Sequence, residues 1–288
     1  MQIYLNGQFV SKDEAKVSVF DHGLLYGDGV FEGIRIYHNR VFRLDQHLAR
    51  LERSAKYICL EIGKSREEMT GIVLETCRRN GLSDGYIRLV ATRGTGTLGL
   101  RPNSCPKPTI FCIVDKLSIY PPEFYENGLS IMTVSTRRNR SDALDPQLKT
   151  LNYLNQILAT IEAGRSGFEE ALMLNSEGYV AEAAADNLFI LSGRKLITPA
   201  THLGALPGIT RGAVLDLAPG LGFEPVEAHV TLQEVYSADE CFLTGTAAEV
   251  VPVIEVDSRR IGTGKPGPGT KKIREAFHAL TRAEGTAF

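Results

Sequence analysis

The chain has 288 residues, which is long for one compact domain and typical of two closely joined ones. Hydrophobic residues make up 43% and charged residues 23%, so the chain can bury a full core, and global disorder is excluded. With 32 basic and 34 acidic residues, the formal net charge of -2 gives no electrostatic support for binding nucleic acid or an anionic membrane.

The sequence carries no targeting or membrane signal that we recognise. No apolar run approaches the roughly 18 residues of a transmembrane helix, and the start, MQIYLNGQFV, lacks the regions of a signal peptide. The five cysteines include no CxxC pair, and we expect them to stay reduced. A cytoplasmic location is therefore predicted.

The first third of the chain reads as strands, then helices, then strands. Two amphipathic helices are predicted, one from Asp45 with apolar residues at three-to-four spacing and one over 66–79, ended by Asn80-Gly81. The predicted strands are 2–5, 28–37, 40–42, 85–93 and 109–115.

A double proline at 121–122 interrupts this pattern and argues against regular helix or central strand there. We therefore predict a small α/β domain over 1–118, an interdomain linker over 119–127, and a larger domain over 128–288.

The second half of the chain again mixes strands and helices, without the even alternation of a doubly wound fold. A long helix is predicted after Leu151, a hairpin with its turn at 176–178, a helix from about Thr210, and a closing amphipathic helix in the tail. The predicted strands are 187–191, 195–198, 240–244 and 251–261.

Two familiar site patterns fail. The segment 94–99 (GTGTLG) matches GxGxxG, but the following LRPNSCP does not open a helix, so a glycine-rich lid is favoured over a dinucleotide site. The six histidines are dispersed without i, i+4 pairing, and no metal site is predicted.

Lys149 lies just before the strongly apolar helix predicted after Leu151. A helix N-terminus disfavours a nearby ammonium, so this position would lower the pKa of the lysine and make it a nucleophile and a base. From this pattern alone, a solvated loop lysine is the alternative.

Three further segments offer groups for an anionic, aromatic ligand. The turn 204–210 (GALPGIT) before a helix can hold a phosphate, and 245–248 (GTAA) lets backbone and hydroxyl approach a ligand closely. Glu182 lies among small apolar residues, where a carboxylate needs a cationic partner such as a protonated pyridine. The alternatives are ordinary turns for the first two segments and a surface glutamate beside a turn for Glu182. A reactive lysine, phosphate-binding turns and this acid are what pyridoxal 5'-phosphate (PLP) requires.

The sequence also resembles the class IV, or fold type IV, PLP-dependent aminotransferases. The resemblance spans roughly residues 2 to 255 and is carried by six segments in order: 26–35 (YGDGVFEGIR), 47–51 (HLARL), 149–153 (KTLNY), 179–182 (YVAE), 206–211 (LPGITR) and 245–249 (GTAAE). Within the family, Tyr86-Ile-Arg88 resembles the signature of branched-chain amino acid aminotransferases.

The resemblance implies two α/β domains, joined by a short linker, with the active site between them and PLP bound by the larger domain. Lys149 would bind PLP covalently and move the substrate proton, while Glu182 would pair with the pyridine nitrogen. The remaining implied cofactor contacts are Tyr153 to the ring O3', Leu206 to the ring face, and Arg50, Ile209, Thr210 and Thr246 to the phosphate.

The implied reaction moves the amino group of leucine, isoleucine or valine to 2-oxoglutarate by a ping-pong mechanism. Arg88 would meet the γ-carboxylate of glutamate, and the chain would form at least a homodimer. The implied substrate contacts are Tyr86, Thr246 and Ala247 for the α-carboxylate, with Phe31, Gly33, Tyr153 and a neighbouring subunit's Tyr26 lining the aliphatic pocket. A D-amino acid aminotransferase or an aminodeoxychorismate lyase-like enzyme is the alternative.

The chain has no tryptophan, whereas some branched-chain members of the family have an indole near the site, so Tyr120 is our candidate for that wall. The cluster 137–140 (RRNR) could be a solvated face or an interface, and we predict the solvated face.

Overall fold

The computed structural model describes residues 1–116 and 120–288 of the chain, which form a mixed α/β structure. The chain divides into two compact units: Met1–Leu117 with Leu148–Asn152 and Thr281–Phe288, and Ser118–Gln147 with Tyr153–Leu280. The predicted domain boundary at 118–119 lies outside the described residues. Within the described ranges, no helix is both long and apolar enough to cross a membrane.

Sixteen strands are assigned in the described residues. In chain order they are β1 (Gln2–Leu5), β2 (Gln8–Ser11), β3 (Gly29–Tyr37), β4 (Arg40–Val41), β5 (Gly85–Thr92), β6 (Thr109–Asp115), β7 (Leu129–Thr133), β8 (Glu170–Leu174), β9 (Val180–Ala183), β10 (Asn187–Ser192), β11 (Lys195–Pro199), β12 (Glu224–Ala228), β13 (Glu240–Gly245), β14 (Glu249–Val256), β15 (Arg259–Arg260) and β16 (Thr286–Ala287).

Eight α-helices accompany the strands in the same residues. They are α1 (His22–Tyr26), α2 (Leu44–Tyr57), α3 (Arg66–Asn80), α4 (Pro122–Asn127), α5 (Leu154–Arg165), α6 (Ile209–Leu217), α7 (Leu232–Tyr236) and α8 (Pro268–Ala283).

The first unit is a seven-stranded sheet in the order β16-β4-β3-β5-β6-β1-β2. Strands β3 and β5 pair antiparallel over eight residues, from Gly29 opposite Thr92 to Ile36 opposite Gly85. The core combines apolar residues of these strands with the buried faces of α2 and α3. One face of β3 and β5 is therefore covered by the helices of this unit.

Both helices of this core match the sequence prediction. Helix α2 buries Leu48, Leu51 and Ala55 at the predicted spacing. Helix α3 starts with a capping box between Ser65 and Glu68 and ends at Gly81, whose φ of 62° is left-handed. Strong local signals at both ends explain why its bounds agree with the prediction to within one residue.

The second unit contains a nine-stranded sheet whose main path is β12-β11-β10-β13-β14-β7-β8-β9, with β15 beside β14. Strands β10, β13 and β14 pair antiparallel, while β7 pairs parallel with both β8 and β14. Apolar residues of these strands form the main core of the unit. The predicted hairpin with its turn at 176–178 is present as β8 and β9.

The chain departs from the predicted domain ranges in two places. Residues 148–152 and 281–288 belong to the first unit and not to the second. Thr150 bridges to Val30 of β3, and β16 pairs with β4, so backbone pairing distant in sequence holds both segments.

The expectation that 119–127 contains no regular helix is wrong, because α4 begins at Pro122. A proline is tolerated in the first helical turn, where its missing N–H would have no intrahelical acceptor.

Candidate active site

Lys149 is held along strand β3 in the first unit. Its carbonyl accepts from the amide of Phe31 at 3.0 Å, the amide of Leu151 donates to Gly29 at 2.9 Å, and the Lys149 amide donates to the hydroxyl of buried Ser54 at 3.1 Å. These bonds keep 149–151 extended. The predicted helix after Leu151 therefore begins only at Leu154, and the lysine does not directly precede it.

The amine of Lys149 lies with an arginine and two aromatic rings. Its Nζ is 4.5 Å from the ring centroid of Phe31, and Cζ of Arg88 is 4.7 Å from the same centroid. Nη2 of Arg88 donates to the hydroxyl of Tyr86 at 3.2 Å. We call Phe31, Gly33, Tyr86, Arg88 and Lys149 the lysine face.

Strand pairing explains why these side chains meet. Gly33 lies opposite Arg88, and side chains two residues apart in a strand point the same way. Phe31 and Gly33 of β3 therefore share a face with Tyr86 and Arg88 of β5. A Cβ at Gly33 would lie 1.8 Å from the hydroxyl oxygen of Tyr86, so only glycine leaves room for that hydroxyl.

Arg50, predicted to bind phosphate, lies in a buried cluster with Glu32 and His47. Its Nε and Nη2 each donate to Glu32 at 2.8 Å, and Nδ1 of His47 is 2.7 Å from the same carboxylate. Burial alone would raise the pKa of Glu32, but Arg50 and then His47 outweigh it and lower that pKa to about 2. The two bonds fix the plane of the Arg50 guanidinium.

The charge of Lys149 also affects this cluster, through the pKa of His47. Burial lowers the pKa of His47, and although Glu32 opposes this, the charges of Arg50 and Lys149 add to the lowering. The imidazole is therefore neutral at neutral pH. Glu32 received no role from its sequence, although a glutamate between the apolar residues of a predicted strand was a possible signal.

Tyr26, predicted to reach a neighbouring subunit, ends helix α1 and is 38% exposed. Its hydroxyl accepts from the amide of Gly99 at 3.2 Å, so it holds part of the glycine-rich segment 94–99. That segment is followed by a short 3-10 turn at Pro102–Ser104. This agrees with the prediction that no α-helix begins there.

In the second unit, Glu182 is a buried carboxylate held by side-chain and backbone donors. It accepts from Nη2 of Arg138 at 2.5 Å, from Nδ2 of Asn187 at 2.8 Å and from the amide of Leu206 at 2.9 Å. The side chains of Glu182 and Arg138 are 7% and 3% exposed. We call Arg138, Glu182, Asn187 and Leu206 the glutamate cluster.

The prediction of a solvated face at 137–140 is wrong for Arg138. Its Nε also donates to the carbonyl of Gly204 at 3.1 Å, so the guanidinium bridges the glutamate cluster and the turn before α6. Arg137 and Arg140 are exposed as expected, and Arg140 pairs with Asp142 on the surface. The pairing of Arg138 with a carboxylate 44 positions away left no local pattern in the sequence.

The other predicted cofactor residues of this unit lie at strand and helix ends. Ile209 and Thr210 begin α6, whose first backbone amides have no acceptor within the helix. Thr246 and Ala247 form the turn between β13 and β14, where both are half-buried. Tyr153, also half-buried, immediately precedes α5.

Tyr120 is not available as a wall for a substrate. It is 7% exposed, belongs to the apolar core of the second unit, and directs its hydroxyl to Glu170 and Asp186.

Residues 29–256 match the family described as Amino-transferase class IV. The chain belongs to the class IV aminotransferases. A Methanocaldococcus jannaschii protein, provisionally named a branched-chain-amino-acid aminotransferase, is 53% identical to this chain. The aligned region covers 96% of this chain and 95% of the relative. The Escherichia coli K12 branched-chain-amino-acid aminotransferase is 37% identical over 98% of the chain and 93% of its own length.

Solved structures agree over the same extent. That of the Escherichia coli branched-chain amino acid aminotransferase has a TM-score of 0.95 at 37% identity and covers 97% of this chain and 94% of its own. That of the Thermobaculum terrenum branched-chain amino acid aminotransferase in its PLP form has a TM-score of 0.89 at 32% identity, covering 98% and 94%. The fold of this class IV chain is therefore that of solved branched-chain aminotransferases.

Proposed function

We propose that the protein is a PLP-dependent aminotransferase that moves the amino group of branched-chain L-amino acids to 2-oxoglutarate. The observation that carries the proposal is the lysine face, in a chain 37–53% identical over nearly its whole length to proteins named for this reaction. A lysine amine, an arginine and aromatic rings provide the groups needed for an amino acid with an apolar side chain and for a dicarboxylate.

The residues of the second unit fit the cofactor. Glu182 accepts from Arg138, Asn187 and the amide of Leu206, so its carboxylate is fixed and can offer a negative charge to a protonated ring nitrogen. The first amides of α6 can bind a phosphate. We assign Leu206 to the ring face, Tyr153 to O3', and Arg50, Ile209, Thr210 and Thr246 to the phosphate.

PLP, when bound, supplies an aldehyde that captures the amino group and a ring that accepts the electrons of the Cα–H bond. Lys149 would hold PLP through its Nζ, and the same Nζ, once free, would take the proton from the substrate Cα and return it in the course of the amino transfer. Glu182 would keep the ring nitrogen of bound PLP protonated, because its carboxylate would supply a negative charge to that nitrogen. Lys149 would act again in the second half-reaction, in which 2-oxoglutarate takes up the amino group. Because the amino acid leaves as an oxo acid before 2-oxoglutarate reacts, the mechanism is ping-pong.

Two unlike substrates are accommodated by different groups. We assign Phe31, Gly33 and Tyr153 to the aliphatic side chain, and Arg88 to the γ-carboxylate of glutamate or 2-oxoglutarate. We assign Tyr86, Thr246 and Ala247 to the α-carboxylate. Tyr26 is contributed by a second copy of the chain.

We further propose a homodimer. Helix α5 exposes Leu154, Ile157, Leu158 and Ile161 at the spacing of one helical face, with 43–65% of each side chain accessible. A second copy would cover this stripe. Leu158→Glu should produce monomers in sedimentation velocity, and an unchanged oligomer would exclude α5 from the interface.

We also place the protein in the cytoplasm. All five cysteines are free thiols, and Cys77, Cys112 and Cys241 are buried, as suits a reducing compartment. Recovery in the membrane or secreted fraction on cell fractionation would contradict this location.

The experiment is an absorbance spectrum of purified protein with PLP, before and after L-leucine. We expect the visible band of the lysine-bound cofactor to shift to shorter wavelength, and glutamate to form when 2-oxoglutarate is added. D-alanine should give neither change. Turnover of D-alanine in place of L-leucine would instead identify a D-amino acid aminotransferase, and no response to any amine would contradict aminotransferase activity.

A further inference from the structure

Two carboxyl groups in the core of the second unit share one tyrosine hydroxyl. Oη of Tyr120 is 3.1 Å from Oε2 of Glu170 and 3.2 Å from Oδ2 of Asp186. All three residues are at most 8% exposed. None of them belongs to the lysine face or the glutamate cluster.

The shared hydroxyl can donate only one proton, so it cannot satisfy both carboxyl groups as a donor. Oε1 of Glu170 accepts from the amides of Ala171 and Ala184 at 2.7 and 3.3 Å, which leaves Oε2 facing Tyr120. Burial raises the pKa of Glu170 and that of the Tyr120 hydroxyl. Because the pKa of Glu170 is raised, its protonated carboxyl can donate to Tyr120, and the Tyr120 hydroxyl is then available to donate to Asp186.

The other oxygen of Asp186 lies against the turn between β13 and β14. Asn187 pairs with Thr244, which brings Asp186 to the Gly245 end of β13. A Cβ at Gly245 would lie 1.8 Å from Oδ1 of Asp186, so the carboxylate occupies the space that a side chain would need. This turn continues into Thr246 and Ala247.

Asp186 also bonds to the strand that carries Glu182. Its carbonyl accepts from the amide of Ala183, the residue after Glu182, at 2.8 Å. Asp186 therefore contacts both β9, the strand that carries Glu182, and the turn between β13 and β14.

We propose that Asp186 is a positioning residue that sets the Gly245–Ala248 turn for binding phosphate and substrate carboxylate, and that the hydrogen bonds from Glu170 through Tyr120 orient the Asp186 carboxylate. The proposal rests on the proposed function, because that function assigns Thr246 and Ala247 to these ligands. These hydrogen bonds affect ligand binding at the turn and do not affect proton transfer by Lys149.

Steady-state kinetics of the PLP-loaded enzyme test this. Tyr120→Phe removes the shared hydroxyl and should raise KM for L-leucine and the Kd of PLP about tenfold, equivalent to about 1.4 kcal/mol, with kcat within about twofold. Asp186→Asn, which keeps the shape but not the charge, should change the same quantities. Glu170→Gln resembles the neutral acid and can still donate to Tyr120, so its KM and Kd should match wild type.

Tyr236→Phe is the matched control. The Tyr236 hydroxyl donates to Asp257 at 2.6 Å in the same unit. Asp257 follows the end of β14 remote from Glu249, about 26 Å along the strand from the Gly245 turn. This variant also loses a tyrosine-to-carboxylate bond, but its KM and Kd should stay at wild-type values.

Three results overturn the proposal: Tyr120→Phe with wild-type KM and Kd, equal changes in Tyr236→Phe, or a tenfold change in Glu170→Gln. In each case a wild type that binds PLP and turns over L-leucine leaves the proposed function standing. A wild type that does neither contradicts both.

Discussion

The buried glutamate of strand β3 offers a quantitative test of what holds Arg50 in place. Glu32 is fully buried with Arg50 and His47, and its pKa of about 2 lies about 2.5 units below the ordinary 4.5. At about 1.36 kcal/mol per unit, ionised Glu32 contributes about 3 kcal/mol to stability at pH 7. Glu32→Gln should cost a similar amount, because it also leaves the buried Arg50 charge without its partner.

The pH dependence has a definite sign. A carboxyl whose folded pKa is lowered stabilises the protein above its unfolded pKa, and the contribution fades as pH falls through the folded value. Between pH 7 and pH 3 the linkage relation reduces the contribution of Glu32 from about 3 to about 1 kcal/mol. The difference between wild type and Glu32→Gln should therefore shrink by about 2 kcal/mol.

Urea unfolding of both proteins at pH 7 and pH 3 measures this difference. Glu75→Gln is the matched control, because Glu75 pairs with Arg78 and Arg79 on the exposed side of α3 in the same unit. Its urea midpoint should stay at the wild-type value at pH 7. A Glu32→Gln protein as stable as wild type, or a difference independent of pH, would refute the assignment of a strongly ionised, Arg50-bound glutamate.

Three further changes test the proposed site. Glu182→Gln should lower kcat about a hundredfold while PLP stays bound, since the negative charge against the ring nitrogen is lost; an unchanged kcat would place Glu182 outside the reaction. Gly33→Ala should raise KM for L-leucine, because its Cβ displaces the Tyr86 hydroxyl; a wild-type KM would show that this hydroxyl does not contact substrate. Arg88→Ala should raise KM for 2-oxoglutarate at least about tenfold and that for the leucine-derived oxo acid far less, and equal changes would contradict a γ-carboxylate role.

The sequence predicted best what is decided locally. Helices α2 and α3 combine apolar periodicity with start or stop signals, and their positions agree with the prediction. The pairing of β3 with β5 could not be predicted from these signals, yet it gathers Phe31, Gly33, Tyr86 and Arg88 on one face. The residue types of that face could be chosen from the family resemblance, but their contacts depend on strand register.

Non-local partners account for what was missed. Lys149 packs on β3 because backbone bonds join segments more than 100 residues apart, where the sequence suggested only a helix to follow. Arg138 was predicted to be solvated with its basic neighbours, because its partner Glu182 lies 44 positions away in the sequence. Tyr120 was assigned to a substrate wall from composition, but its hydroxyl is directed to two buried carboxyl groups.

The central claim is that Lys149 is the amine to which PLP attaches. Borohydride reduction of the PLP-loaded protein, followed by proteolysis and mass spectrometry, identifies that amine directly. The pyridoxyl mass should appear on the peptide containing Lys149 and be absent from the same peptide of Lys149→Ala, which should also lose turnover. A label on another lysine, or turnover retained by Lys149→Ala, would contradict the account.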